Sequence, residues 1–141
     1  MSKQTECVFC VAIKRGYTEA VINGQVKRAS IITETRDFVL VLDHYPVVKD
    51  HLLIISKEHI HGCLDMPEIF WLQIPQLIKA GLNMTKHYDP SVTGFNLGHN
   101  SGPDAGQTVM HCHFHLFPRR KGDVKNPRGG IRNFKKSLVK Y

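Results

Sequence analysis

VMHCHFHLF, residues 109–117, is the stretch on which the reading of this chain turns. Side chains along a strand alternate between faces, so as a strand it sends His111, His113 and His115 to one side, about 6.7 Å apart. Met110, Cys112, Phe114 and Leu116 then form an apolar stripe on the other side, suited to a core. Three imidazoles on one face make a poor core and a good site. Neutral imidazole is a common metal ligand, and near pH 7 it is also a nucleophile able to attack phosphorus. The segment just upstream, NSGPDAGQT (100–108), favours phosphorus. A glycine-containing polar loop can turn backbone N–H groups, the Gln107 amide and the Thr108 hydroxyl toward an anion.

Outward from this stretch the chain reads as strands around one long helix. Asn23-Gly24 between apolar residues 20–22 and Val26 predicts a tight hairpin turn. Residues 30–35 and 38–42 (FVLVL) read as strands, the second closed by Pro46, and residues 52–55 (LLII) as a short buried one. Asp65 reads as a helix N-cap with Pro67 in the first turn. Phe70, Ile74, Leu77, Ile78 and Leu82 follow at helical spacing over 66–88, and Pro75 should break that helix near Trp71. Residues 93–97 complete the strand set. The mixture is α+β around an antiparallel sheet.

With 141 residues and no repeat, linker or low-complexity tract, the chain reads as a single domain over 1–141. No apolar run approaches the ~18–20 residues of a membrane span, and MSKQTECVFC has no signal-peptide layout. A cytoplasmic protein is expected. The net charge of +7 is concentrated: residues 1–117 carry ten basic and eleven acidic side chains, while 118–141 carry nine basic ones and Asp123. Such a basic C-terminal segment is either a solvated tail or a strip that attracts polyphosphate or nucleic acid. Four cysteines in a reducing compartment are thiols or metal ligands rather than a disulfide frame. Cys7 and Cys10 form a C-x2-C pair, compatible with metal binding, redox chemistry or coincidence. No strand precedes Cys7, as a thioredoxin-like site would require.

GPDAGQTVMHCHFHLFPR (102–119) resembles the signature of the histidine triad (HIT) family, in which three histidines alternate with apolar residues. The approach Gly106-Gln107-Thr108 and the sequel PRRKGD (118–123) are similar to the fragile histidine triad branch of dinucleoside polyphosphate hydrolases. FVLVLDHYPVVKDHLLIISKEH (38–59) resembles the family's nucleoside-binding strand pair. The resemblance implies a five-stranded antiparallel sheet with one long and one short helix, and a homodimer with one nucleotide site per subunit. Residues 15–28 are longer than the family's usual link between first helix and first strand.

Residue by residue, the resemblance makes His113 the nucleophile and places His115 against phosphate oxygens, sharing protons with the leaving group. Gln107 matches a glutamine near the bridging oxygen, and Thr108 a hydroxyl beside the phosphate. Asp43 matches the ribose-binding carboxylate of the nucleoside phosphoramidase branch, and Asn100 an asparagine near the ribose and phosphate in that branch. Cys7, Cys10, His59 and His111 match the Cys2His2 set of a structural zinc, with His61 near enough to compete with His59. The cysteine pair is foreign to the fragile histidine triad branch, so the sequence mixes two subgroups. The leading expectation is a hydrolase of dinucleoside polyphosphates or related AMP conjugates, with a divalent cation accompanying the substrate and Arg119, Arg120 and Lys121 available to distal phosphates. A purine nucleoside phosphoramidase is the enzymatic alternative, and a non-catalytic nucleotide- or nucleic-acid-binding module the other class. Removal of adenylate from DNA 5′ ends is a third enzymatic possibility, disfavoured because no zinc finger follows the triad, and nucleic acid is the less expected partner.

Overall fold

A computed structural model describes residues 6–138. In chain order it comprises α1 (Val8–Arg15), β1 (Tyr17–Ile22), β2 (Gln25–Ser30), β3 (Thr33–Glu34), β4 (Phe38–Leu42), β5 (Leu52–Ser56), α2 (Glu68–Trp71), α3 (Ile74–Tyr88), β6 (Val92–Gly98) and β7 (His113–Arg120). Short 3-10 turns precede α2 and β7, and another covers Gly130–Leu138. Five strands form an antiparallel sheet in the order β3-β4-β5-β7-β6.

The apolar runs of β4 and β5 are buried on both sides because both sheet faces are covered. Phe38, Leu40, Leu52 and Ile54 join Phe114 and Leu116 beneath α3. Val39, Val41, Leu53 and Ile55 pack with Phe9 and Ile13 of α1 on the opposite face. Burying one such side chain stabilises by roughly 1.5–3 kcal/mol, so these two strands anchor the domain. Gly81 lets α3 settle onto the sheet: a Cβ there would stand 2.9 Å from Leu52 Cδ1 and 3.2 Å from Leu116 Cδ2.

The unusually long segment after α1 is a separate hairpin, β1 paired with β2. Its turn is the expected Asn23-Gly24, with φ of 51° and 76°, the two left-handed residues that a two-residue turn needs to match strand twist.

Several boundaries differ from expectation. The strand anticipated over 30–35 shrinks to the two-residue β3, because Ser30 belongs to the hairpin. Asp65 ends a 3-10 turn instead of capping a helix, and the helical stretch is split into α2 and α3, with Pro75 inside the first turn of α3. The histidine strand begins at His113 and not at Val109. Ahead of it, the Cys112 N–H donates to Ile60 O at 2.6 Å while its carbonyl accepts the N–H of Ser56, the last residue of β5, at 3.2 Å, so Cys112 marks where the chain passes from the connection after β5 into the sheet. Met110 accordingly stays outside the apolar stripe, which consists of Cys112, Phe114 and Leu116. No described helix is long and apolar enough to cross a membrane.

The basic sequel of the triad also differs. The Arg119 guanidinium pairs with Asp123 at 2.8 and 2.9 Å and donates to Asn96 Oδ1 at 2.6 Å. Arg120 bridges Asp50 and Asp89 at 2.6 and 2.8 Å and holds Lys49 O. These two arginines clasp loops together instead of standing free for distal phosphates. Residues 139–141 of the basic segment lie outside the described residues.

Candidate functional site

Register places the histidines. His115 lies opposite Leu53 and His113 opposite Ile55, so both imidazoles emerge on the α1 face. His111, though ahead of the strand, lies on the same side: the Phe9 ring of α1 meets His111 at 5.7 Å and His113 at 5.0 Å, edge-on to both. A cavity of 530 Å³ opens beside them, between α1, the β1–β2 hairpin and the end of β4. That lies within the roughly 300–1,000 Å³ of small-molecule pockets. His113, His115, Thr108 and Asp43 line it.

Hydrogen bonds to the backbone determine which nitrogens carry protons. His113 Nδ1 lies 2.7 Å from His111 O, an acceptor only, so Nδ1 holds the proton and Nε2 presents its lone pair. The Val47 N–H donates to His51 Nδ1 at 3.3 Å, which leaves the His51 proton on Nε2. That proton is donated to His115 Nδ1 at 2.9 Å, with Asp43 Oδ2 3.4 Å away. His115 therefore carries its own proton on Nε2. Burial is the first cause that lowers the pKa of all three, and His115 falls to about 4. At neutral pH the site holds uncharged imidazoles, one with a bare nitrogen and its neighbour with an N–H.

The sequence offered no signal for His51, which sits in a loop five residues after Pro46. Its partner is 64 positions away in the chain, and the β5–β7 pairing brings the two together. Gln107 and Asn100 are placed differently from Thr108. The Gln107 amide is turned inward, accepting from the Gly102 N–H at 2.8 Å and donating to His61 O and Val109 O at 2.7 and 3.1 Å. It lines a separate cavity beside Gly102 and Met110. The half-buried Asn100 sits by Gly106, outside the lining of the histidine cavity. Asp43 Oδ1 accepts the Tyr45 N–H at 2.7 Å, leaving Oδ2 toward His51.

Cys7, Cys10, His59 and His111 do converge, their ligand atoms all within 4.8 Å of one another. Cys7 Sγ and Cys10 Sγ stand 3.4 and 3.5 Å from His111 Nδ1, Cys10 Sγ 3.3 Å from His59 Nδ1, and the two nitrogens 3.1 Å apart. Around a tetrahedral zinc with bonds of about 2.0–2.3 Å, such atoms stand roughly 3.3–3.8 Å apart. His111 donates from Nε2 to Ser56 O at 2.6 Å, so the Nδ1 that faces the cluster is a lone pair. Two thiols and two inward-facing imidazole nitrogens at these separations form a donor set able to hold a metal. His61 takes no part in it. Cys112, in the core, has its thiol pushed up to about 12 by burial and is inert packing.

Comparison with known proteins agrees with this architecture. The family described as "HIT domain" matches residues 24–122. The chain is 30% identical over 123 residues to an adenosine 5′-monophosphoramidase of Candida albicans, covering 85% of this chain and 74% of that one. Among solved structures, a HIT family hydrolase from Clostridium thermocellum superposes with a TM-score of 0.62 at 30% identity, over 83% of this chain and 93% of that one. A zinc-bound histidine triad family protein from Mycobacterium smegmatis gives 0.69 at 27% identity, over 95% and 90%. An antiparallel sheet in an α+β fold, carrying histidines beside a 530 Å³ cavity, defines the class of protein. The chain belongs to the HIT family.

Proposed function

We propose that this protein is a hydrolase or nucleotidyl-transfer enzyme that cleaves the α-phosphate linkage of AMP conjugates, dinucleoside polyphosphates above all. The reading is carried by the bare Nε2 of His113 at the edge of a nucleoside-sized cavity, next to an N–H on His115. His113 Nε2 attacks the α-phosphorus in line and forms a P–N bond. The bond to the leaving group breaks, with its electron pair going to the departing atom. Water then displaces His113, its proton passes to solvent, and the pair of the P–N bond returns to Nε2. Two inversions give net retention at phosphorus.

His115 Nε2–H stabilises the departing oxygen by a hydrogen bond, and His51 with Asp43 keeps that N–H in place. A polyphosphate leaves as an anion for which such a bond suffices, whereas an amine must take up a proton. Neutral His115 therefore suits the anhydride. Asp43 also receives the ribose, and Thr108 the phosphate, while Gln107 and Asn100 shape the loop that presents Thr108. Cys7, Cys10, His59 and His111 would hold a structural zinc, which when bound would tie α1 to the start of the triad. A divalent cation escorting the polyphosphate and a homodimer belong to the same reading, the latter tested by sedimentation.

A purine nucleoside phosphoramidase is the second reading, favoured by the 30% identity to the Candida albicans enzyme. Intact-mass measurement after rapid quenching, with diadenosine tetraphosphate beside adenosine 5′-phosphoramidate, tests both. An adduct of AMP mass on His113 and faster turnover of the dinucleotide are expected. Faster turnover of the phosphoramidate would favour the second reading. Nucleotide binding with no adduct and no product from either compound would leave a binding module.

The pH profile is a further test. The nucleophile must be neutral, and burial depresses its pKa below 6.5. Protonation therefore removes activity only on the acid side: kcat/KM should stay level from pH 8 down to 6.5 and fall below it. A decline already centred above 6.5 would contradict a desolvated His113.

A further inference from the structure

β7 carries His113, His115, Phe117 and Arg119 at alternate positions of one face, and the site described above ends at His115. The next ring, Phe117, lies parallel to His115 at 5.8 Å and against His51 at 4.5 Å. Beyond it opens a second cavity of 380 Å³, floored by Phe117 and by Asn96 of β6, with Val47 and Val48 on one side and Val124 and Asn126 of the C-terminal segment among the residues enclosing the rest. Arg119 is the one charged residue of its described lining. That guanidinium is held by Asp123 and by Asn96 Oδ1. The walls thus combine an aromatic face, valines and asparagine amides, with no free charge to hold a phosphate.

The order along the strand sets a direction. His113 attacks, His115 hydrogen-bonds the departing atom, and the cavity follows after Phe117. Anything attached to that atom passes His115 toward the groove, about 13 Å from His113 along the strand. Ammonia cannot reach so far, while a second nucleotide can. Resting on the hydrolase reading above, we propose that this groove is a leaving-group subsite for an uncharged planar heteroaromatic group, a second nucleobase, with the bridging phosphates left to solvent and cation. Phe117 offers a stacking face and the asparagines offer hydrogen bonds to a base edge. The two-base character of the substrate is then recognised by the two cavities that flank the His115–Phe117 stack.

Val124→Trp fills the groove from a position that is 43% exposed, and Asn126→Asp puts a negative charge in it while keeping the bond from the Arg128 N–H. Each variant should raise KM for diadenosine tetraphosphate about tenfold with kcat nearly unchanged, the pattern of lost uniform binding, and leave both constants for adenosine 5′-phosphoramidate as in wild type. Equal effects on the two substrates, or none on either, would overturn the proposal. Equilibrium affinity separates its failure from that of the hydrolase reading. Wild type should bind diadenosine tetraphosphate about tenfold or more tighter than AMP, and both variants should erase that advantage, whether or not turnover occurs. An advantage that survives both variants, or is absent from wild type, removes the subsite.

Discussion

Replacing His113 by alanine is expected to lower kcat by at least about 10⁴-fold, comparable to the loss of a nucleophile in enzymes whose site residues act as a unit. AMP affinity should change by less than about threefold, because on the proposed reading the nucleoside would be held in the 530 Å³ cavity by α1, the hairpin and Asp43. Single-turnover kinetics and titration calorimetry on the same preparation measure the two quantities. The imidazole is buried and donates to His111 O. Its removal leaves that carbonyl without its partner, which costs about 1–3 kcal/mol. A melting curve must therefore show that the variant remains folded at the assay temperature. Residual kcat within tenfold of wild type would mean that another group, or water itself, makes the attack. Loss of AMP affinity in parallel with turnover would assign His113 to binding.

The second large effect is expected on metal removal. Zinc at 1,000 times its dissociation constant adds about 4 kcal/mol to folding stability by mass action, so stripping it should lower Tm by roughly 10 °C or more. Nucleotide affinity should fall with it, a readout independent of turnover. Cys7 and Cys10 stand at the head of α1, and residues of that helix from Val8 to Arg15 form a wall of the 530 Å³ cavity. His111, the buried member of the donor set, also carries the carbonyl that sets the His113 tautomer. A metal here would pin the pocket wall and His113 through one centre. Calorimetry of AMP binding before and after chelation, with Cys10→Ser as a second route to the metal-free state, is the measurement. An affinity unchanged by either would confine the metal to stability, and elemental analysis finding no zinc in protein purified without chelator would remove it.

Much of this was legible from residue order. The FVLVL and LLII runs, the Asn23-Gly24 turn, the break at Pro75 and the alternation of His113, Phe114, His115 and Leu116 are local properties. They follow from side-chain period and turn stereochemistry, and need no knowledge of partners. The four metal-ligand candidates also emerged from residue type and resemblance, though they are spread over more than a hundred positions. Sequence reasoning went astray where a residue's role depends on what it meets. Arg119 and Arg120 look like cations for an anionic substrate until Asp123, Asp50 and Asp89 are brought to them. Gln107 looks like a free amide until the loop folds its side chain onto His61 O.

The sequence therefore carries the inventory: an α+β sheet, imidazoles on one face of it, and a cysteine pair able to join them. Tertiary structure decided how those groups are poised. It brought His51 to His115, set the His113 proton on Nδ1 by way of a neighbouring carbonyl, started the strand at His113 so that His111 turns to the cysteines, and opened the groove beyond Phe117. The reason is physical. Side-chain period is a property of the local backbone, whereas protonation state and free charge are decided by hydrogen-bond partners and desolvation. In this chain several of those partners come from segments far apart in sequence: His51 lies 64 positions before His115, and Asp50 lies 70 and Asp89 31 before Arg120.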